Sequence, residues 1–80
     1  MKLELFKYDT CPYCVKVMNY IDSVGRTDII YRDIHKSDED ARELVAVGGK
    51  RQVPCLFIDR TPLYESLDII QWLKDHPQNA

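Results

Sequence analysis

The chain has 80 residues, 45% of them hydrophobic and 30% charged, with a formal net charge of −2 at pH 7. That size supports one core and therefore one domain, residues 1–80. Its Lys and Arg residues are interspersed with Asp and Glu, so neither a nucleic-acid footprint nor a membrane-surface patch is expected, and no apolar run approaches bilayer-spanning length.

Met1-Lys2 leads directly into a strand pattern: residues Lys2 to Lys7 alternate as one face of a sheet would require. Pro12 to about Val24 reads as a helix whose apolar stripe is Val15, Met18 and Ile21, closed by Gly25. Ile29 to Ile34 is a β-branched and aromatic strand, and Ser37-Asp38-Glu39-Asp40 opens a second helix carrying Ala41, Leu44 and Val45 and ending at Gly48-Gly49. Val53 to Ile58 is a third strand, Asp59-Arg60 a tight turn, and Leu63-Tyr64 a short return strand that Pro62 confines to an edge. Ser66 to about Lys74 forms the last helix before Pro77, with Ile69, Ile70, Trp72 and Leu73 packing it on the sheet. The order is βαβαββα, an α/β architecture.

Cys11-Pro12-Tyr13-Cys14 falls at the first strand-to-helix junction. A cysteine that caps a helix meets unpaired N–H groups and the positive end of the macrodipole, which favour thiolate over thiol. Cys11, in an exposed capping position, is therefore the expected nucleophile. Pro12 suits the first helical position. Cys14, one turn on and partly buried, is within reach of Cys11 for a small-ring disulfide. A structural cysteine pair or half a zinc site is the bland alternative. His35 and His76 supply no second ligand pair, and no metal site is expected. Three cysteines are an odd number for a disulfide scaffold; with no leader ahead of the first strand, a cytoplasmic, reducing setting follows. Cys55, in a central apolar strand, reads as a small buried hydrophobe.

The element order with the Cys-Pro-Tyr-Cys tetrad resembles the thioredoxin fold over nearly the whole chain, and the tetrad is similar to that of the dithiol glutaredoxin family. The resemblance implies a four-stranded mixed sheet flanked by three helices, with a cis Val53–Pro54 bond facing the cysteines. It also implies that the Val53 backbone pairs with the cysteinyl part of glutathione. Tyr64-Glu65-Ser66-Leu67-Asp68 is similar to the opening of the last helix in glutathione-transferase N-terminal domains. By that likeness the N–H groups of Glu65 and Ser66 receive the γ-glutamyl carboxylate, while the Glu65 side chain pairs with the α-ammonium group. Lys50, Arg51 and Gln52 are placed for the glycyl carboxylate, with Arg51 the best bidentate candidate. The Tyr13 ring lines the groove.

Two positions depart from the family pattern. The basic residue usual three places before the first cysteine is here Tyr8, with Lys7 one earlier. Strand alternation lets only one of them face the cysteines, and Tyr8 is expected there. The glycine pair usual before the last helix is replaced by Leu63-Tyr64.

The resemblance implies a monomeric, glutathione-dependent thiol–disulfide oxidoreductase with no bound cofactor, using glutathione as co-substrate on glutathionylated or disulfide-containing proteins. Two other readings belong beside it. One is a redoxin of the same fold reduced by a thioredoxin-reductase-like flavoprotein, against which Glu65-Ser66 weigh. The other is a dimer holding an iron–sulfur cluster through the active-site cysteine and glutathione, against which Pro12 and Cys14 weigh.

Overall fold

Strand β1 (Leu3–Lys7) is the centre of the molecule, and everything else is arranged about it. The structure, a computed structural model, describes residues 1–78. After β1 come α1 (Pro12–Ser23), β2 (Ile29–Asp33), α2 (Asp38–Gly48), β3 (Cys55–Ile58), β4 (Thr61–Tyr64) and α3 (Ser66–Asp75), the order expected from the sequence. The sheet runs β2-β1-β3-β4, with β1 parallel to β2 and antiparallel to β3, and β4 antiparallel to β3. Pro62 lies on the β4 edge, where its missing N–H costs no ladder bond.

Alternation along β1 divides the core between the two faces of the sheet. Leu3 and Leu5 pack with Val17, Ile21, Leu56, Ile69 and Leu73 under α1 and α3. Phe6 packs with Ile34, Ala41, Leu44, Cys55 and Phe57 under α2. The buried stripe of α1 is Cys14, Val17 and Ile21, while Val15 is exposed. This corrects the expected stripe. Spaced three and four apart, the buried three share one face, and Val15 stands about 100° round from Cys14. Val45 is likewise exposed beside buried Leu44. Strand β3 starts at Cys55, two residues later than expected; Val53 and Pro54, joined by a cis bond, lie outside the ladder, and Pro54 has no N–H to give it.

Register decides where the loops emerge. Cys55 stands opposite Phe6 on one side and opposite Tyr64 on the other. Strand β1 therefore leaves the sheet, β3 enters it and β4 leaves it at one end, so the segments carrying Cys11, Val53-Pro54 and Glu65-Ser66 come together there.

An ion network ties α2 to this sheet. Glu4 on β1 is only 1% accessible, and its Oε1 accepts a hydrogen bond of 2.6 Å from Arg32 of β2. Arg32 also donates to Asp40 at 2.6 Å and Glu43 at 2.8 Å on α2, and Arg60 from the β3–β4 turn donates to Glu43. Glu4 Oε2 has no hydrogen-bond partner among the described residues and faces Arg60 Nη1 at 3.8 Å. Hydrogen bonds from Arg32 and Arg60 hold the Glu43 carboxyl down at about 2. A depressed carboxyl contributes stability that is full above its ordinary value of 4.5 and is lost as pH falls through its folded value. Arg32→Met leaves Glu4 buried without its hydrogen-bonded cation, with only Arg60 at 3.8 Å and Lys2 at 3.7 Å, and is expected to cost about 3–5 kcal/mol in urea unfolding at pH 7. The same variant should lose less stability than the wild type between pH 4.5 and 2, since Glu43 no longer has Arg32 to hold it ionised. A variant with unchanged unfolding midpoint would show that the network is superficial.

Candidate active site

Cys11 is the N-cap of α1, with extended backbone (φ −77°, ψ 117°), and its Sγ accepts the Cys14 N–H at 3.3 Å. Its own N–H donates to Tyr8 O at 3.3 Å, and Pro12 follows at the first helical position. The capping role expected of Cys11 is thus present. Its exposure is less than expected: Cys11 is 4% accessible and Cys14 is fully buried. A capping side chain folds back over the first turn to reach its N–H, so the sulfur is presented at an edge instead of projecting into solvent.

The two thiols have different surroundings. Burial, then the hydrogen bond with Cys11, pushes the Cys14 thiol up to about 12, so at neutral pH it keeps its proton. Lys7 acts on Cys14 in the opposite sense through its charge. Lys7 follows Leu3 and Leu5 on the α1 face of β1, whereas Tyr8 packs with the Phe6 cluster and stacks on His35 at 4.0 Å between ring centroids. The preference for Tyr8 is therefore corrected: alternation continues past the strand end and sends Tyr8 to the α2 side. Lys7 is itself held by Asp9 at 2.7 Å and Asp33 at 3.3 Å.

Cys55 is fully buried on the α2 face, across the sheet from Cys14, with Phe6 and Phe57 as neighbours. Burial raises its thiol to about 11. It is a core residue, as its strand suggested.

Beside the first turn of α1 runs a groove of ≈ 630 Å³ lined by Tyr13 and Lys16 of α1, by Gln52, Val53 and Pro54, and by Glu65, Ser66, Leu67 and Asp68 at the start of α3; Tyr13, between the two cysteines in the chain, enters this lining and the cysteines do not. Six of the residues singled out from the sequence, Tyr13, Gln52, Val53, Pro54, Glu65 and Ser66, meet here. Tyr13 and Leu67, each 65% exposed, form its apolar rims. Val53 lies outside the ladder, and its N–H and C=O make no hydrogen bond among the described residues. Glu65, the N-cap of α3, takes a positive φ of 74° and makes no side-chain cap, so the first N–H groups of α3 have no capping oxygen. Gln52 Nε2 reaches Glu65 Oε1 at 3.4 Å, joining the two walls.

Arg51 is placed elsewhere. It lines a shallow hollow with Ala41, Arg42, Val45 and Ala46 against α2, and Lys50 lies over the Tyr64 ring at 4.4 Å. Arg51 thus faces α2, while the next residue, Gln52, lines the groove. The cation the groove does contain is Lys16, which sequence reasoning missed although it stands three residues after Tyr13 on the same helix face. Asp68 in the first turn of α3 was missed as well, its acidic character being ordinary at a helix start. Among the described residues no group of three or more His, Cys, Asp or Glu side chains gathers as a metal site would require. Among the described residues no helix is long and apolar enough to cross a membrane.

Comparison with known proteins agrees with this geometry. The family model described as Glutaredoxin matches residues 3–62. A probable glutaredoxin of Synechocystis sp. is 33% identical over 60 residues, which are 72% of this chain and 66% of that protein, so the chain spans just under two thirds of its relative's length. The solution structure of a glutaredoxin from Brucella melitensis superposes with a TM-score of 0.64 at 19% identity, over 99% of this chain and 84% of the other. A glutathione transferase Omega 3C from Trametes versicolor superposes with a TM-score of 0.79 at 20% identity, over all of this chain but 36% of the other. At such identities the likeness establishes the thioredoxin fold.

The contrast among the three thiols sets an expected order of modification. Iodoacetamide at pH 7.5 should label Cys11 alone in the native protein, with Cys14 and Cys55 labelled only after denaturation, as read by peptide mass spectrometry. Native labelling of Cys14 ahead of Cys11 would contradict the assignment of roles.

Proposed function

The chain belongs to the glutaredoxin family, and we propose that it is a glutathione-dependent thiol–disulfide oxidoreductase acting through Cys11 and Cys14. The observation that carries this reading is the groove beside the first turn of α1, onto which the uncapped start of α3 and the unpaired Val53 backbone both open. These suit the two ends of a γ-glutamyl-cysteinyl ligand: N–H groups at a helix start for the carboxylate, strand-like pairing for the peptide next to the sulfur. Glu65 supplies an anion for the α-ammonium group, and Lys16 replaces Arg51 as the candidate for the glycyl carboxylate.

In the proposed cycle the Cys11 thiolate attacks the glutathionyl sulfur of a mixed disulfide. The new S–S bond forms as the old one breaks, and the substrate thiolate departs and takes up a proton. Cys11 then carries glutathione. A second glutathione thiolate can attack that sulfur, releasing oxidised glutathione and returning the Cys11 thiolate. Alternatively Cys14 gives up its proton and displaces glutathione, forming the Cys11–Cys14 disulfide that two glutathione molecules reduce. A reducing, cytoplasmic setting, with no bound cofactor, suits this cycle.

The test is turnover of a glutathione mixed disulfide coupled to glutathione reductase, against thioredoxin reductase as the alternative electron source. Cys11→Ser should abolish turnover. Cys14→Ser should keep mixed-disulfide reduction while losing reduction of protein disulfides that need both thiols. Loss of deglutathionylation in Cys14→Ser would reverse the roles, and turnover with thioredoxin reductase alone would favour the flavoprotein-driven redoxin. Glu65→Ala with Ser66→Ala should raise KM for the mixed disulfide about tenfold to a hundredfold, the equivalent of about 1.5–3 kcal/mol for a charge-assisted contact, and leave Cys11 alkylation unchanged. Unchanged KM in that double variant would remove the α3 contact from the reading.

A further inference from the structure

The groove has two walls that come from distant parts of the chain: the loop ending in Gln52-Val53-Pro54, and the start of α3 at Glu65-Ser66. One residue is joined to both. Tyr64 is bonded directly to Glu65, and its hydroxyl reaches back across β4 to donate to Gly48 O at 3.0 Å and Lys50 O at 3.2 Å. Its single hydrogen is shared between the two carbonyls, and the Cys55 thiol on the paired strand meets the same oxygen. Gly48 O is one of the C-terminal carbonyls of α2 that the helix itself leaves without a partner, and Lys50 is two residues before Gln52. The Lys50 ammonium, 4.4 Å from the ring centroid, closes over the same contact.

The glycine at position 48 records how tightly the hydroxyl sits. A Cβ added there would lie 2.5 Å from Tyr64 Oη, against 3.4 Å from Leu44 Cδ1 and 3.5 Å from Phe57 Cε1. The hydroxyl is thus the sole close obstacle.

We infer that Tyr64 is a positioning residue for the glutathione groove: its hydroxyl braces the loop wall against the α3 wall and so sets the separation at which Val53 and Glu65-Ser66 hold one ligand. It touches neither the ligand nor the reacting sulfurs. This rests on the proposed function for its ligand, but the brace itself is a property of the empty protein and can be read without glutathione.

The experiment combines Tyr64→Phe and Gly48→Ala, singly and together, each checked for folding by thermal melting. Tyr64→Phe keeps the ring and the Lys50 contact and removes only the hydroxyl. It should raise KM for a glutathione mixed disulfide roughly five- to tenfold, with kcat changed less than about twofold and Cys11 alkylation unaltered. Gly48→Ala should give a similar KM by displacing the hydroxyl, and should add nothing in the Tyr64→Phe background, where the obstacle is gone. In the ligand-free protein, amide hydrogen exchange of Gly49, whose N–H donates to Val45 O at 2.9 Å next to the braced Gly48 carbonyl, should quicken roughly fivefold in Tyr64→Phe. Additive KM effects, or unchanged exchange in a folded Tyr64→Phe protein, would overturn the brace. Should the wild type fail to turn over glutathione substrates, the proposed function falls, and the exchange measurement still decides for or against the brace.

Discussion

The site depends on one pairing: Cys55 set between Phe6 and Tyr64 in adjacent strands. That register places the exit of β1, the entry of β3 and the exit of β4 at a single end of the sheet. A slip of one residue in β3 would turn Phe57 and Cys55 from the α2 core into the α1 core, exchanging every side chain of the central strand. Register is protected by burial on both faces, since Leu56 belongs to one cluster and Cys55 and Phe57 to the other. The groove is therefore built on the most heavily buried part of the molecule, although its lining comes from loops and helix starts. Such lining gains its definition from the scaffold beneath it.

The same division of faces separates the three thiols. Cys11 and Cys14 sit on the α1 side, one at the edge of a helix start and one inside the first turn. Cys55 is a few residues from the groove along the chain, but the sheet lies between it and the pair. Proximity in sequence to Pro54 is thus a poor guide to redox chemistry, while strand parity is a good one. Two of the thiols are pushed upward by the cost of burying a charge, which outweighs the backbone hydrogen bonds they receive from Tyr8 and Leu63, and Cys11 differs in capping a helix start, with the Cys14 N–H at its sulfur. The proposed division of labour between nucleophile and resolving thiol rests on that difference.

The element order, the capping cysteine and the three converging segments were legible in the sequence because each rests on local chemistry: apolar periodicity, Pro at a first helical position, Ser and acidic residues at a helix start. Four details were not. The α1 stripe was read from Val15 instead of Cys14 and Val17 because a cysteine does not look like a core residue when it is also a motif residue. Lys7 and Tyr8 were ordered wrongly because family position was given more weight than the parity of Leu3, Leu5 and Lys7. Arg51 suits a carboxylate by its guanidinium, but the fold sets it against α2 and leaves Lys16 as the cation in the groove, which a choice among Lys50, Arg51 and Gln52 does not reach. The brace of Tyr64 was invisible for a different reason: its partners are main-chain carbonyls, which carry no sequence signature.

The three helix starts show how one physical problem receives three answers in the same small domain. Each leaves backbone N–H groups without intrahelical partners. At α2 the hydroxyl of Ser37 takes the Asp40 N–H at 3.2 Å, and the result is purely structural. At α1 a sulfur takes the Cys14 N–H, so the cap is itself the atom proposed to react. At α3 no side chain takes the place: Glu65, held at positive φ, carries its carboxylate to Gln52, and the N–H groups open onto the groove. An uncapped start forgoes about 1 kcal/mol that a Ser or Asp cap would supply. A ligand carboxylate there would restore that interaction with a full charge, so under the proposed function the end of α3 would be completed by the bound molecule. Stability given up in the empty protein would then return as affinity in the occupied one.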